Sequence, residues 1–593
     1  MTPKLTDQRR SLNSKLKKTA WNNYIKLFHA VASGNPEHPE GFQLLDLLKQ
    51  TRILECFELI ESLSAQSYSD PARYFAVTQF AYLIKKYDFP SEFNPFDPQK
   101  AAVEKFLQSE RSCARINEAF RDKSLLRDPY LSSNLWVMRS WIHNVLGELP
   151  RLSEIYSQAD MGPGASIGVH GNCTNRARKL NSNWSVTPEA LHYGRAMMIS
   201  DYHAFEFLQT RGNGNHFICF DPEEARGAFM QRVSVVNYNK IAFVPKTAKT
   251  ERSIAVEPLL NSMLQKAIDK LMRRRLLRVG IDLSDQSKNS ERAREGSWDL
   301  PDGYVTIDLS SASDSISIEL VRYLLPPDWF DFLNAIRSKN FSIDSNRQRY
   351  EKFCSMGNGF CFPLESLLFG AACHATGAAP FDFSVYGDDL IVRKSTASEL
   401  VLLLRGIGFE TNTDKTFLSG PFRESCGADW WHGLDVRPYI LDYRLDSLES
   451  IFKTYNLMYR SERTFLFFYK ARRFLWNLVP RNLRLCRPFR GPVDTCFTVT
   501  LDQFMSSPFA AWDKNLQCWK WTELIHLPCK DNLEDVAYRD VVMMYGVVRG
   551  ITSSLPFAIR RKTRTKSRVV SGSGPREETE GACTDVISAL RQP

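Results

Sequence analysis

The chain has 593 residues, 43% hydrophobic and 24% charged, proportions that exclude global disorder and leave either several domain-sized units or one large multi-lobed molecule. Its 13 cysteines include no CxxC pair and its 10 histidines are scattered, which excludes a secreted disulfide scaffold and zinc-ligand spacing and fits reduced thiols. No run approaches the about 18 apolar residues of a membrane span; the longest, Val541 to Val548, is far shorter, and the basic N-terminus lacks the apolar core of a signal peptide, so a soluble intracellular protein is expected. The net charge of +10 conceals clustering. Residues 240–278 carry +7, 453–490 carry +9 and 560–568 carry +6, a pattern expected for polyanion binding.

In chain order, roughly the first 150 residues have helical spacing, as in FQLLDLLKQTRILECFELIESL. A polar stretch follows around Gly162 to Gly164 and Gly168 to Asn172. A long helix is predicted from about 258 to 279, with Pro258 in its first turn and Gly280 as its stop. Residues 303–440 alternate strand-like and helical segments, which implies an α+β core. Residues 441–555 return to helical and aromatic character. There Tyr455, Tyr459, Phe465, Phe468, Tyr469, Phe474 and Trp476 interleave with cations, either as stacking groups for single-stranded nucleic acid or as the buried faces of amphipathic helices. From about Arg560 a polar, mobile tail is expected.

The sharpest chemical feature is SVYGDDLIVRK, residues 384–394. β-Formers flank Gly387-Asp388, predicting a tight hairpin with Asp388 and Asp389 at its tip. Adjacent carboxylates repel, and a divalent cation relieves that repulsion. Upstream, YVTIDLSSASDSIS predicts a strand at Tyr304–Ile307 that ends at Asp308, then a turn into a helix near Ser315. If this strand lies beside the hairpin, Asp308 meets Asp388 across the sheet, an arrangement suited to two Mg²⁺ ions and in-line attack at phosphorus.

Around these acids lie candidate nucleotide-binding groups. FVPKTAKTERSIAVEP spaces Lys246, Lys249 and Arg252 three residues apart, able to neutralise a triphosphate. SMGNGFCFPLESLLFGA places Gly357 and Gly359 where backbone approaches closely or takes positive φ, ahead of an apolar helix. Lys415 follows Asp389 as a candidate general acid for the leaving pyrophosphate; alone it would read as a solvated surface lysine.

VPKTAKTERSIAVEP, RRRLLRVGIDLSDQS, TIDLSSASDSIS, SMGNGF, YGDDLIV and TFLSGPFRESCG occur in this order, and together they resemble the replicase β-subunits of the levivirus family of RNA bacteriophages. The resemblance is dense from about 243 to 440. It implies an RNA-directed RNA polymerase with a right-hand fold: an α+β palm with an antiparallel sheet, and helix-rich fingers and thumb. On that plan residues 1–240 contribute to the fingers, 241–300 carry the triphosphate-binding loop, 301–440 form the palm, 441–555 a thumb-like region and 556–593 the tail. It further implies that Asp308, Asp388 and Asp389 hold Mg²⁺ (or Mn²⁺ in its place), with Asp389 secondary. Lys246, Lys249 and Arg252 would bind the triphosphate, while Asp314 and Gly357-Asn358-Gly359 would position ribose and template. GPFRESCG with WWHGLDV would grip the primer strand. Implied partners are template and product RNA, NTPs, host elongation factors Tu and Ts and a ribosomal small-subunit protein, without a membrane, in the cytoplasm of an infected bacterium. Two residues depart from the wider polymerase pattern. Asp314 stands six positions after Asp308 where five is usual, and Glu365 stands where an Asn usually reads the 2′-hydroxyl. A reverse transcriptase and a non-catalytic RNA-binding protein remain as alternatives.

Overall fold

The computed structural model describes residues 3–64, 70–169, 179–180, 182–200, 222–462, 467–488, 490–513, 518–527 and 564–572. Phe465, residues 170–172, the run 541–548 and the tail apart from 564–572 lie outside them. Helices open the chain as the spacing predicts: α1 (Pro3–Gly34), α2 (Glu40–Lys49), α3 (Ile53–Ser64), α4 (Pro71–Ile84) and α5 (Pro98–Arg121). An Asp-Pro pair starts both α4 and α5. Asp70 accepts from the Arg73 N–H and Asp97 from the Lys100 N–H, while the proline fills a first-turn position that needs no donor.

The strands form small sheets. β1 (Trp184–Val186) pairs in parallel with β2 (Val233–Val235). β3 (Asn239–Pro245) and β4 (Glu251–Val256) form a hairpin. β5 (Tyr304–Ile307) occupies the predicted residues, and β6 (Leu309–Ser310) follows it. β7 (Asn340–Ile343) and β8 (Asn346–Arg349) extend the first hairpin into a sheet of order β4-β3-β7-β8. β9 (Ser384–Tyr386) and β10 (Asp389–Arg393) are the arms of the predicted YGDD hairpin, and β10 sits centrally in the antiparallel sheet β5-β10-β9. β11 (Glu410–Thr411) pairs with β6, and β12 (Phe422–Ser425), β13 (Ala428–Trp431) and β14 (Leu434–Asp435) form an antiparallel meander. The predicted long helix spans Leu259–Arg278, with Pro258 as its N-cap and Gly280 at positive φ just beyond its end. The turn after Asp308 begins as a 3₁₀ segment, Ala312–Ser315, and the helix proper starts at Ile318.

Two large cores organise these elements. One gathers Phe120 to Phe409, including Val305, Ile307, Leu390, Val392 and the helices Leu259–Arg278 and Cys361–Ala375. The other joins Leu16 through Phe89 to Phe422 through Leu524. The second core thus joins α1–α4 to the chain from Phe422 onward, while residues from Phe120 to Phe229 pack in the first. Apolar stripes on α1–α4 need a partner face, and the helices Leu448–Ser461 and Tyr469–Leu478 supply it.

The C-terminal third also departs from expectation. Tyr455 and Phe468 are buried in the second core, Phe474 and Trp476 pack against it, and Tyr469 alone of these is largely exposed, at 60%. Burial thus accounts for most of the interleaved aromatics, and the cations divide: Arg487 is itself buried, while Arg472 pairs with Glu462 at 2.9 Å and lies over Tyr459. Residues Cys518–Leu527 form a strand rather than a helix. It pairs antiparallel with Arg564–Gly572, part of the segment expected to be a mobile tail.

Gln79, fully buried, clamps the N-terminal helices to the later chain. Its Nε2 donates to the Tyr439 carbonyl at 2.8 Å, and its Oε1 accepts from the Tyr439 N–H at 2.7 Å. Gln79→Ala strands two buried backbone groups and is expected to cost about 2–5 kcal/mol, read as a lower urea midpoint by tryptophan fluorescence.

Candidate active site

The site begins with register. Leu390 pairs with Ile307 as the last rung between β5 and β10, so Asp389 and Asp308 come next on one sheet face. Asp388 occupies the two-residue turn. Gly387 takes φ +63° and Asp388 does not take positive φ, the pattern of a type II′ turn, whose twist matches that of its strands. A Cβ on Gly387 would also stand 2.5 Å from the Phe362 ring, so glycine is required there twice over.

The three acids share one electrostatic environment. Burial pushes the Asp308 carboxyl up to about 6, with Asp388 and Asp389 adding to the shift while Lys415 and Asn412 oppose it. Asn412 Nδ2 donates to Asp308 Oδ2 at 2.9 Å, and Lys415 Nζ stands 4.0 Å from the same oxygen. Burial also raises Asp389, whose Oδ1 accepts from the Cys426 N–H at 3.1 Å and from Ser425 Oγ at 3.3 Å. The tip of the β12–β13 hairpin thus holds Asp389, while Asp308 and Asp388 remain for other work. Among the described residues, no three His, Cys, Asp or Glu side chains are grouped closely enough to hold a metal unaided.

The cations divide. Lys246, on the loop joining β3 and β4, is held below the usual lysine range by desolvation and by Lys105, Arg252 and Lys415, against the pull of Asp308. Lys249 leaves this group. It pairs with Glu61 of α3 and lies over the rings of Phe57 and Phe96, because the loop tip is seated in the N-terminal core. There Ala248 donates its N–H to the Lys85 carbonyl at 3.1 Å. Equal spacing therefore does not make three equal ligands. Lys105 on α5 and Lys86, which sequence reasoning missed, join the cation group instead, since Lys86 is lowered by burial and by Arg437, Lys415 and Arg252. Nothing local marks either residue, as both reach the site only through the fold. Burial would lower Lys415, but Glu424, at 3.5 Å, and Asp308 outweigh it and raise it.

On the opposite wall, Gly357 takes φ +107° and lies where a Cβ would be 2.2 Å from the Ala255 carbonyl oxygen, so the Gly357-Asn358-Gly359 loop presses against β4. Asn358 Oδ1 accepts from the Phe360 N–H at 3.0 Å and Gln265 Oε1 from the Gly359 N–H at 3.1 Å, fixing the loop above the helix Cys361–Ala375. Glu365 is nearly buried in that helix and raised well above the usual range, by burial first and then by the Asp388 charge. Asp314 is ion-paired with Lys352 at 2.8 Å.

The family described as RNA replicase, β-chain, matches residues 46–464. The chain belongs to this family. It is similar to the RNA-directed RNA polymerase subunit beta of Escherichia virus Qbeta, 34% identical over 64% of this chain and 61% of the relative. It is likewise similar to that of Qbeta virus strain MX1, 31% identical over 81% of this chain and 78% of the relative, and to the RNA-directed RNA polymerase beta chain of Escherichia phage MS2, 35% identical over 68% and 71%. The chain thus spans about three fifths of the length of the Escherichia virus Qbeta relative. A solved structure titled "RdRp complex" aligns at TM-score 0.30 and 12% identity over 53% of this chain and 28% of its own, a likeness that carries no argument about the fold. Among the described residues no helix is long and apolar enough to cross a membrane.

The divided cations give a test. Lys105→Ala is expected to weaken pyrophosphate binding about 5–10-fold, the worth of one charge-assisted hydrogen bond. Lys249→Ala should leave it within about twofold, and titration calorimetry distinguishes the two.

Proposed function

We propose that this chain is an RNA-directed RNA polymerase that copies a positive-strand RNA phage genome by nucleotidyl transfer from NTPs to an RNA 3′-hydroxyl. Membership of the replicase β-chain family supports the reading. The observation that carries it is the register bringing Asp308 beside Asp389 and the Asp388 turn, opposite Lys246 and Arg252. A right-hand arrangement of fingers, palm and thumb, with β5-β10-β9 as the palm sheet, belongs to the same reading.

Asp308 and Asp388 would hold Mg²⁺. A hard cation suits carboxylate oxygens gathered at one sheet end, and Mg²⁺ is commonly held by one or two carboxylates plus water and substrate phosphates, which accords with the lack of a three-residue protein cage among the described residues. Bound there, such ions favour ionisation of the attacking hydroxyl and offset charge on the leaving pyrophosphate. The chain's own groups do the rest. Lys246, Arg252 and Lys105 take the triphosphate. Lys415, kept protonated by Glu424 and Asp308, stands ready to give its proton to the departing pyrophosphate. Asp314 and Gly357-Asn358-Gly359 face the nucleotide's sugar and the template base. The β12–β13 hairpin, fixed to Asp389, lies where the primer end would rest. Host elongation factors Tu and Ts and a ribosomal small-subunit protein are the proposed partners, and purification from infected cells identifies them.

Asp388→Asn is expected to reduce NTP incorporation on an RNA template by at least about a hundredfold while changing RNA affinity less than about threefold, because affinity resides in the basic segments. Retained synthesis would sink the assignment. Preference for dNTPs in the parent protein would mark a reverse transcriptase instead.

A further inference from the structure

Asp314 is held by a buried ion group that the sequence does not announce. Its Oδ1 accepts from Lys352 Nζ at 2.8 Å, and its backbone carbonyl accepts from Cys113 Sγ of α5 at 3.5 Å. The Lys352 side chain is 0% exposed, and its ammonium also lies 3.3 Å from Glu110 Oε1 and 3.4 Å from the centroid of the Phe106 ring. The ammonium donates to Asp314, while the Glu110 charge and the Phe106 face stabilise it without a further hydrogen bond. Both acids keep Lys352 protonated against its burial.

The group is braced from three sides. Glu110 Oε2 accepts from the backbone N–H groups of Glu351 at 2.6 Å and Lys352 at 3.4 Å. Asn117 Nδ2 donates to the Glu351 carbonyl at 2.7 Å, and its Oδ1 accepts from the Glu319 N–H at 2.9 Å. Phe353 donates its N–H to the Ile316 carbonyl at 2.7 Å. Helix α5, the turn that carries Asp314, and the strand-like segment running into Gly357-Asn358-Gly359 are thereby locked together. Asp314 Oδ2 has no protein donor among the described residues, and the 3₁₀ turn that carries it packs against the helix Cys361–Ala375 beneath the Gly357-Asn358-Gly359 loop.

We propose that Lys352 is a positioning residue for sugar selectivity: it fixes Asp314 through Oδ1 and leaves Oδ2 aimed at the ribose of the incoming nucleotide. This rests on the polymerase reading above and adds to it a residue that never touches the nucleotide. A long buried lysine, with Glu110 as its second anchor, sets the direction of a carboxylate whose own turn is only a short 3₁₀ segment.

The experiment measures steady-state incorporation of ATP and of dATP by the full chain with any co-purifying partners, on one RNA template. Lys352→Met is expected to raise the KM for ATP about tenfold, to change kcat less than about threefold, and to lower the ATP-over-dATP preference about tenfold, with RNA affinity unchanged. Combined with Asp314→Asn it should add less than about twofold to that variant's own loss of preference, since both act through one contact. If Lys352→Met does not fold, Lys352→Gln, of similar length, carries the same expectation. A folded variant that keeps its preference within twofold overturns the role of Lys352, as does full additivity with Asp314→Asn. Failure of the parent protein to incorporate any nucleotide would overturn the polymerase reading itself, a separate result visible in the same assay.

Discussion

Three carboxylates are confined to the end of one narrow sheet, and the protein around them is arranged to tolerate that confinement. The Leu390–Ile307 rung sets it: a slip of one residue between β5 and β10 would turn Asp308 to the opposite face and bury it among Val305, Ile307 and Leu390. Because the Asp388 charge adds to the rise of both Asp308 and Asp389, each neighbouring element contributes an opposing charge or a donor. Lys415 and Asn412 serve Asp308, the Cys426 N–H serves Asp389, and Lys246 looks across from the β3–β4 loop. On the proposed polymerase reading, bound cations and phosphates would relieve that confinement, which is how binding energy can be directed to a reacting centre.

The N-terminal helices belong to this arrangement even though they carry no motif. Helix α5 brings Lys105 towards the cations and Glu110 towards Lys352. α3 takes Lys249 out of the cation group, and Lys85 at the end of α4 anchors the loop tip through Ala248. The β3–β4 hairpin is therefore held at both ends, by β7 at its base and by the N-terminal core at its tip.

What could be read from the sequence was what is locally encoded. Gly387 between β-formers specified a turn with its arms, Tyr304–Ile307 specified a strand, and Pro258 with Gly280 bounded a helix, because turn, strand and cap preferences act over a few residues. The pairing of those two strands was conditional on the sequence and is observed in the structure. Spacing along a hairpin loop does not say which wall each side chain meets, and the fold sets Lys249 beside Glu61 and Phe57. Lys105, Glu110 and Lys352 were invisible for a related reason: Glu110 and Glu351 meet across 241 positions, and no local pattern encodes such a contact. The aromatics of 455–476 carried two readings, stacking platform or buried face, and packing against α1–α4 decided for burial in most of them.

The core shared by the two ends of the chain has a consequence for biosynthesis. Gln79 waits for Tyr439, 360 positions later. At about 5–20 residues per second, that interval is roughly 20–70 s. During it Phe28, Phe75 and Phe80, all destined for near-complete burial, have emerged from the ribosome without their final neighbours. The β5-β10-β9 sheet, drawing on residues 304–393, can assemble first. The nascent protein can thus form this sheet before its beginning is sheltered, which leaves the apolar faces of the first ninety residues exposed for longest.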